Sequence, residues 1–275
     1  METTIPDAIL TDATPSTLVR AIHDNLFEMY RYLGRSQAAE YHHDPELTWL
    51  RTPIAPVSFL NGVLHTAASA ERLDTLIHTT IEYYRSKGVM RFSWWLDERS
   101  PYLAAHLQAH GLVFIEGNLG MTLDLHPWED DLSGPADLRV EPVNDMQSLL
   151  DWVLAAQAGF DLPEIYRQPW YEIYAGLGCE LPLRNYVGYY RGEPVAAAQL
   201  FLGAGVAGIY TVATVPSARR LGIGAAMTQA ALREAQDFGY RYAILHASRI
   251  GEGVYAKLGF RGCCHMSRFI WEETS

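Results

Sequence analysis

The sequence predicts two consecutive mixed α/β domains, and three observations support this fold class. Each half alternates strand-like and helix-like segments in the order strand, helix, strand, helix, strand. The glycines that end predicted helices correspond between the halves: Gly88 with Gly239, and Gly111 with Gly259. Residues 126–138, rich in Pro, Gly, Asp and Ser, are typical of a linker. We therefore expect an internal duplication, with domains over residues 1–130 and 131–275.

The first half contains the shorter series of predicted elements. Apolar and β-branched runs predict its strands, and apolar residues at helical spacing predict its helices. The elements are, in order, a strand in residues 58–66, a helix in 67–89, a strand in 90–96, a helix in 100–111 and a strand in 112–125.

The second half ends with the same series after several additional elements. A strand in residues 138–143 precedes a helix in 144–160, for which Asn144 or Asp145 is the expected N-cap. The next helix contains Pro169, which could break it. The elements from there are that helix in residues 162–177, a two-stranded hairpin in 184–203, a strand in 205–215, a helix in 222–237, a strand in 240–248, a helix in 251–259 and a strand in 262–271.

The composition argues against several classes of protein. The 275 residues carry a formal net charge of −11, which disfavours a nucleic-acid partner held through its phosphates. No apolar run reaches the roughly 20 residues of a membrane span, and the polar, acidic N-terminus does not resemble a signal peptide. The three cysteines fit a reducing compartment, and no Cys or His cluster has metal-ligand spacing. We expect a cytoplasmic protein with no metal, no membrane partner and no nucleic-acid partner.

Residues 215–224, VPSARRLGIG, join a predicted strand end to a predicted helix start. A helix that begins directly after a strand directs its unbonded N–H groups and its dipole at an anion. Gly222 and Gly224 leave room for close backbone approach, and Arg219 and Arg220 are suited to phosphate. The stretch matches neither a dinucleotide-binding fingerprint nor a mononucleotide P-loop. An ordinary turn with a solvated arginine pair is the alternative.

Two motifs together resemble the GNAT superfamily of coenzyme-A-dependent N-acyltransferases. RxxGxG at residues 219–224 is similar to the family signature [RQ]xxGx[GA], and VYAKLGFRG at residues 254–262 is similar to the family's YxKLGF ending. The resemblance implies a central mixed, mostly antiparallel sheet flanked by helices in each domain. It also implies a tandem chain whose first half is a degenerate copy.

The resemblance further implies that acetyl-CoA is the cosubstrate. Its two pantetheine amides would pair with the strand before the motif, like an added strand. Ser248 stands where the family often has Asn and would keep one hydrogen bond for the cofactor. The residues assigned to the pyrophosphate loop are Arg219, Arg220, Leu221, Gly222, Ile223 and Gly224, and those assigned to the pantetheine strand are Val212, Ala213, Thr214 and Val215.

Acyl transfer to an amine requires a base, an oxyanion donor and an acid. Tyr255 corresponds to the family tyrosine that protonates the leaving thiolate. A backbone N–H near Thr214 or Val215 is the expected oxyanion donor. His246 is a candidate base because an unperturbed imidazole titrates near pH 6.5. A base acting through water is an equal alternative, and the weaker candidates are Glu180, Tyr210 and Asp161.

The first half lacks these residues when the halves are aligned on their matched glycines. Ala68 then stands opposite Arg219, Glu71 opposite Gly222, Leu73 opposite Gly224 and Leu107 opposite Tyr255. A carboxylate and a bulky apolar side chain replace the two glycines of the loop. We expect the first half to be unable to hold coenzyme A and to serve a structural role.

The expected function is transfer of an acetyl group from acetyl-CoA to a primary amine of an unidentified acceptor. The acceptor is expected to be a small-molecule amine or a protein amine. A non-catalytic acyl-CoA-binding or sensor protein is the alternative. A tandem chain supplies within one molecule the packing that single domains gain by pairing, so we expect a monomer rather than a homodimer.

Overall fold

A computed structural model describes residues 9–52, 60–96, 102–129 and 134–273 of the chain. The helices of those residues are, in chain order, α1 (Pro15–Leu33), α2 (Ala70–Ser86), α3 (Leu103–Ala109), α4 (Met146–Gly159), α5 (Arg167–Ala175), α6 (Ile223–Asp237) and α7 (Glu252–Lys257). The strands are β1 (Glu40–His43), β2 (Leu47–Arg51), β3 (Gly62–Thr66), β4 (Arg91–Trp95), β5 (Val113–Ile115), β6 (Leu119–Asp124), β7 (Leu138–Pro142), β8 (Leu183–Tyr190), β9 (Glu193–Gly203), β10 (Val206–Thr214), β11 (Tyr242–Ala247), β12 (Arg261–His265) and β13 (Arg268–Glu272).

The chain forms two compact units, each with its own sheet. The seven-stranded unit consists of Met1–Met29 and Leu119–Cys264, and the six-stranded unit consists of Tyr30–Asn118 and His265–Ser275. Each unit combines segments from both halves of the chain, because strands are exchanged between the halves, and the division into domains over residues 1–130 and 131–275 stays a prediction. The predicted boundary itself lies outside the described residues.

The seven-stranded sheet has the order β12-β6-β11-β10-β9-β8-β7. β10 and β11 are parallel, whereas β11–β6, β10–β9, β9–β8 and β8–β7 are antiparallel. The apolar face of α6, including Ile223 and Met227, joins a core with Ile209 of β10 and Leu245 of β11. α4 packs against β8, β9 and β10, and the indole of Trp152 donates to the Ala198 carbonyl over 3.0 Å.

The six-stranded sheet has the order β1-β2-β3-β4-β13-β5. β3 and β4 are its parallel pair, and the other neighbouring pairs are antiparallel. Leu73 and Ile77 of α2 and Leu107 of α3 pack with Trp94 of β4 in one core. The predicted fold class, two mixed and mostly antiparallel sheets flanked by helices, is therefore confirmed.

Each sheet contains a strand from the other half of the chain. β6 lies between β11 and β12 in the seven-stranded sheet, and β13 lies between β4 and β5 in the six-stranded sheet. The predicted strands in residues 112–125 and 262–271 are therefore each two strands, and their members join different sheets. Gly117 lies between β5 and β6, where the first of these predicted strands is interrupted. No other residue fits at this position, because a Cβ would lie 1.4 Å from the Met266 carbonyl oxygen.

The structure settles two points that the sequence left open, the effect of Pro169 on α5 and the identity of the N-cap of α4. Pro169 does not break α5, because it is the third helical residue and its missing N–H would have no acceptor within the helix. Asp145 is the N-cap of α4, and it forms a reciprocal capping box with Ser148. The sequence analysis assigned no element to α1, β1 or β2, all of which the structure contains.

Candidate functional site

The parallel strands β10 and β11 separate before either of them ends. Their last paired residues are Ile209 and Leu245, whereas β10 continues to Thr214 and β11 to Ala247. Beyond the last pair, the edge of β10 that faces β11 has no strand partner among the residues that the structure describes. Backbone groups on such an edge are able to pair with an extended ligand.

A bulge in β10 coincides with this separation. The antiparallel register with β9 shifts between Tyr210, which pairs with Gln199, and Ala213, which pairs with Ala197. Thr211 lies inside the bulge with φ of 50°. A β-branched residue is strained in this left-handed region, and strain of this kind concentrates at functional sites.

The backbone groups at the end of β10 divide between two directions. The Val215 N–H donates to the Val195 carbonyl over 2.9 Å. Because successive backbone groups of a strand alternate in direction, the Thr214 N–H lies on the opposite edge. Of the two expected oxyanion donors, Val215 is therefore already bonded within the sheet, and Thr214 is the one whose direction fits.

The loop between β10 and α6, residues 215–222, has the geometry of an anion site. It contains a short 3₁₀ turn, Pro216–Ala218, and then Arg220 and Gly222 with φ of 62° and 81°. Gly222 is the N-cap of α6, a helix of 15 residues. The first N–H groups of this helix have no acceptor within it and are directed at the space beside the loop. A Cβ at Gly224 would meet only the Thr214 hydroxyl oxygen, at 3.7 Å. The space in front of the helix is therefore open.

The side chains of the loop have different environments. Arg219 donates from Nε to the Thr214 carbonyl over 3.1 Å and from Nη2 to the Gly159 carbonyl over 2.9 Å. Its guanidinium thus ties the end of β10 to the end of α4. Leu221 is 45% exposed, whereas Ile223 is 1% exposed and belongs to the core. Ile223 can therefore contribute only its backbone to a ligand.

Tyr255 lies on α7 with its ring packed against the core of the seven-stranded unit. The ring meets Phe260 edge to face, with centroids 6.0 Å apart. Burial raises the pKa of the Tyr255 hydroxyl to about 12. Gly251 makes room for this ring, since a Cβ there would lie 2.8 Å from Tyr255 Cε2.

Ser248 follows β11 and begins the turn into α7. Its hydroxyl oxygen accepts from the Gly251 N–H over 3.3 Å, and its carbonyl oxygen accepts from Gly251 and Glu252. Ser248 therefore organises the start of α7 within the protein. A contact with a cofactor stays a prediction for this residue.

His246 and Tyr210 are the first residues after the last β10–β11 pair. Their rings meet edge to face, with centroids 5.8 Å apart and an interplanar angle of 79°. The Tyr210 hydroxyl donates to Asn25 Oδ1 over 2.7 Å. The structure thus brings the candidate base to the point where the two strands diverge.

The residues of this candidate site lie within a segment that matches a known protein family. Residues 147–260 match the model of the acetyltransferase (GNAT) family, and this range contains the β10–α6 loop, His246 and Tyr255. Residues 147–260 are a GNAT domain. A search of curated protein sequences found no significant match.

Solved structures resemble more of the chain than this domain. A GCN5-related N-acetyltransferase from Kribbella flavida is 19% identical with a TM-score of 0.64, and the match covers 91% of this chain and 95% of that one. A GCN5-related N-acetyltransferase from Sphaerobacter thermophilus is 13% identical with a TM-score of 0.59, and 96% of each chain is covered. At these identities, the likenesses show a shared fold.

A tandem GNAT protein from the clavulanic acid biosynthesis pathway is also similar. It is 14% identical with a TM-score of 0.59, and the match covers 87% of this chain and 85% of that one. The tandem arrangement expected for this chain therefore agrees with the architecture of a solved protein.

The six-stranded unit has a different connection at the position of the GNAT domain's loop. Residues 67–69 alone separate β3 from α2, whereas residues 215–222 separate β10 from α6. Leu73 and Leu107, the counterparts of Gly224 and Tyr255, are buried in the core of that unit. The alignment of the two halves on their glycines therefore cannot be continued residue by residue from α2 back into β3. The reason is that the β3–α2 loop is shorter than the β10–α6 loop.

Three residues that shape the GNAT domain were not among those predicted from the sequence. Gly159 lets α4 approach β10, since a Cβ would lie 2.8 Å from the Ala213 Cβ. Gly208 and Asn25 bring α1 against β10, as described below. Asn25 was detectable, because it is a polar residue between the apolar positions Ile22 and Met29 of an amphipathic helix.

The described residues were expected to contain neither a metal centre nor a membrane span. No group of three or more His, Cys, Asp or Glu side chains in these parts of the chain is placed to hold a metal ion. Within the same ranges, no helix is both long enough and apolar enough to cross a membrane.

Proposed function

We propose that the GNAT domain transfers an acetyl group from acetyl-CoA to a primary amine. The observation that carries this proposal is the opening between β10 and β11, which ends at an uncovered helix N-terminus. This arrangement offers a strand edge followed directly by an anion site. Pantetheine with its two amides, followed by a pyrophosphate, has the same order of chemical groups.

The pyrophosphate fits the first turn of α6. Its charge is stabilised by the N–H groups of the residues after Gly222 and by the helix dipole. Arg220 is an exposed residue of the same loop and supplies positive charge beside it. The side chain of Arg219 acts indirectly, because its two bonds to carbonyl oxygens hold the loop in place.

The reaction needs a neutral amine, a donor for the developing oxyanion and a proton for the thiolate. A lysine-like amine with a pKa near 10.4 is mostly protonated at pH 7, so the site must remove a proton. His246, at the separation of the strands, is the proposed proton acceptor, acting directly or through water. The Thr214 N–H is the proposed oxyanion donor.

Tyr255 is the proposed proton donor to the departing thiolate. Its pKa of about 12 keeps the hydroxyl protonated at every working pH. Complete proton transfer to a thiolate with a pKa of ~8.5 is uphill by roughly 5 kcal/mol. Tyr255 therefore serves best by donating a hydrogen bond to the sulfur while negative charge develops on it.

Thermal unfolding with added ligands tests the binding site. Acetyl-CoA at about 100 times its Kd stabilises a protein by about 2.7 kcal/mol, which raises the Tm by several degrees. We expect this shift in the wild type with acetyl-CoA but not with NAD, and we expect Gly224→Asp to abolish it. The new carboxylate has open space in the folded protein, and it would repel a bound pyrophosphate.

Gly253→Asp is the matched control. Gly253 is the second residue of α7, as Gly224 is the second residue of α6, and a Cβ at Gly253 meets nothing within 4 Å. This variant should bind acetyl-CoA as the wild type does. The absence of a shift with any acyl-CoA in the wild type would overturn the proposed function.

Release of free thiol from acetyl-CoA distinguishes the enzyme from an acyl-CoA sensor. We expect release to depend on an added amine, with ethanolamine, spermidine, glucosamine and lysine methyl ester as acceptors. Binding without amine-dependent release from any of these acceptors would favour the sensor.

A further inference from the structure

The N-terminal helix α1 contacts the GNAT domain at the β9–β10 turn, where Glu28 accepts from the Ala204 N–H over 2.7 Å and Asn25 lies beside β10. Asn25 is completely buried, although it lies outside the residues that match the family. Its Nδ2 donates to the Gly203 carbonyl over 2.8 Å and to the Val206 carbonyl over 3.2 Å. A buried amide that satisfies carbonyl groups in this way stabilises the turn between β9 and β10.

These bonds fix the orientation of the Asn25 amide. Carbonyl oxygens only accept hydrogen bonds, so the NH₂ group must face the β9–β10 turn. The amide oxygen then faces Tyr210, and the Tyr210 hydroxyl must be the donor in the 2.7 Å bond between them. The hydroxyl of Tyr210 is thereby held in one direction.

Gly208 leaves room for the Asn25 amide and the Tyr210 ring to pack against the backbone of β10. A Cβ at Gly208 would come within 2.1 Å of Asn25 Oδ1 and within 2.5 Å of Tyr210 Cε2. The Tyr210 ring therefore lies back over Gly208, and its edge-to-face contact with His246 follows from that position. The contact occurs directly after the last β10–β11 pair.

We propose that Asn25 is a positioning residue for the acceptor side of the reaction. Acting through Tyr210, it holds the His246 imidazole where the acceptor amine loses its proton. The proposal rests on the acetyltransferase function and adds to it a residue from outside the family domain. Positioning of this kind affects the turnover rate more than it affects acetyl-CoA binding.

Two substitutions of Asn25 separate positioning from a purely structural role. Asn25→Leu removes the donor to the β9–β10 turn, and Asn25→Asp puts there an oxygen that donates only when the carboxyl is protonated, so both should lower the Tm. Asn25→Asp retains an oxygen that accepts from Tyr210, whereas Asn25→Leu does not. We expect kcat to fall roughly 10- to 100-fold in Asn25→Leu and to stay near the wild-type value in Asn25→Asp. The KM for acetyl-CoA should be unchanged in both variants.

A double-mutant cycle tests whether the effect passes through Tyr210. Once Tyr210→Phe has removed the hydroxyl, Asn25→Leu should cause no further loss of kcat. Tyr189→Phe is the control, since it removes a hydroxyl that donates to Asp151 over 2.8 Å on a different strand. The reactions use acetyl-CoA and the fastest acceptor among ethanolamine, spermidine, glucosamine and lysine methyl ester.

An NMR measurement examines the same contact without any substrate. The His246 ring protons, identified by their loss in His246→Gln, should shift in Asn25→Leu and keep their positions in Asn25→Asp. Equal losses of kcat in Asn25→Leu and Asn25→Asp, or additive losses in the double mutant, would overturn the positioning role while leaving the acetyltransferase intact. Failure of the wild type to acetylate any of the four amines would instead overturn the proposed function and, with it, this inference.

Discussion

Both sheets contain a parallel strand pair connected through a helix, β3–α2–β4 in the six-stranded unit and β10–α6–β11 in the seven-stranded unit. In the first, the chain needs only residues 67–69 to pass from strand to helix, and Leu73 of α2 fills the core. In the second, residues 215–222 form a loop with two left-handed residues, and Gly224 faces open space. The same connection thus serves packing in one copy and leaves a site in the other.

The proposed anion site of the seven-stranded unit therefore differs from its counterpart by a longer backbone connection and by the missing side chains of its two glycines. α2 and α6 have equivalent positions, but the N-cap of α6 is the left-handed Gly222, whereas that of α2 is Ser69 in an extended conformation. Ile223 directly before Gly224 and Met227 one turn after it are buried in the core of the seven-stranded unit. Four predictions test how far this contrast between the units extends.

The largest expected effect is that of deleting the first half of the chain. A Pro135–Ser275 fragment lacks β6, which pairs with β11 over its whole length and contributes Met121 and Leu123 to the core. The fragment should therefore show no cooperative thermal transition by circular dichroism. Co-expression with residues 1–134 should restore folding and the acetyl-CoA-dependent Tm shift. A Pro135–Ser275 fragment that folds and binds acetyl-CoA by itself would show that the strand exchange is dispensable.

Local patterns predicted the elements that carry the site. The strand that becomes β10, the start of α6 and the hairpin between β8 and β9 all follow from short-range signals. The glycines at positions 222 and 239, whose φ values are 81° and 79°, mark where α6 begins and where the chain turns after it. The sequence signal was sufficient there because turn and cap chemistry depends on a few neighbouring residues.

Strand exchange and the role of α1 could not be predicted in the same way. Residues 112–125 have one continuous apolar pattern, and nothing local indicates that β5 and β6 join different sheets. Pairing partners of strands are set by contacts distant in sequence, such as Leu123 with Ala243. The bond between Asn25 and Tyr210 likewise joins residues 185 positions apart.

A pair of substitutions in the two helices sharpens the contrast between them. Leu73→Ala should destabilise the protein by about 2–5 kcal/mol, because it removes a buried side chain from a packed core. Gly224→Ala should leave stability unchanged or raise it by up to about 1 kcal/mol, since alanine favours helix more than glycine does. Urea unfolding measures both values. Acetyl-CoA titration should show unchanged binding in Leu73→Ala and in Gly224→Ala, since the signature [RQ]xxGx[GA] accepts alanine at position 224, and lost binding in Gly224→Asp.

Tyr255→Phe probes the second pair of counterparts, Tyr255 and Leu107. We expect kcat to fall about tenfold, which corresponds to about 1.4 kcal/mol, because one hydrogen bond to the leaving sulfur is lost. The Kd for acetyl-CoA should be unchanged. Because burial raises the Tyr255 pKa to about 12, the wild type should show no loss of kcat from this group up to about pH 11. Wild-type turnover in Tyr255→Phe would remove the tyrosine from the mechanism.

The smallest expected effect concerns the acid stability of the six-stranded unit. Glu40 of β1 accepts from the Tyr83 hydroxyl over 2.6 Å and from Arg51 Nε over 2.5 Å, and so connects the edge strand to α2 and β2. These bonds, that of Tyr83 first, lower the pKa of Glu40 below its ordinary 4.5. A lowered carboxyl pKa contributes stability above pH 4.5 that is lost as the pH falls through the folded-state value.

Glu40→Gln should therefore cost about 0.5–1 kcal/mol near pH 7, because the carboxylate is partly exposed, and the difference from the wild type should vanish in acid. Urea unfolding between pH 3 and pH 7 measures this convergence, with Glu116→Gln in the same unit as an exposed control. The acetyl-CoA affinity should be the same in Glu40→Gln as in the wild type, since Glu40 lies in the unit with the short connection. A changed acetyl-CoA affinity in Glu40→Gln would mean that the six-stranded unit influences acetyl-CoA binding, and the two units would then not be functionally separate.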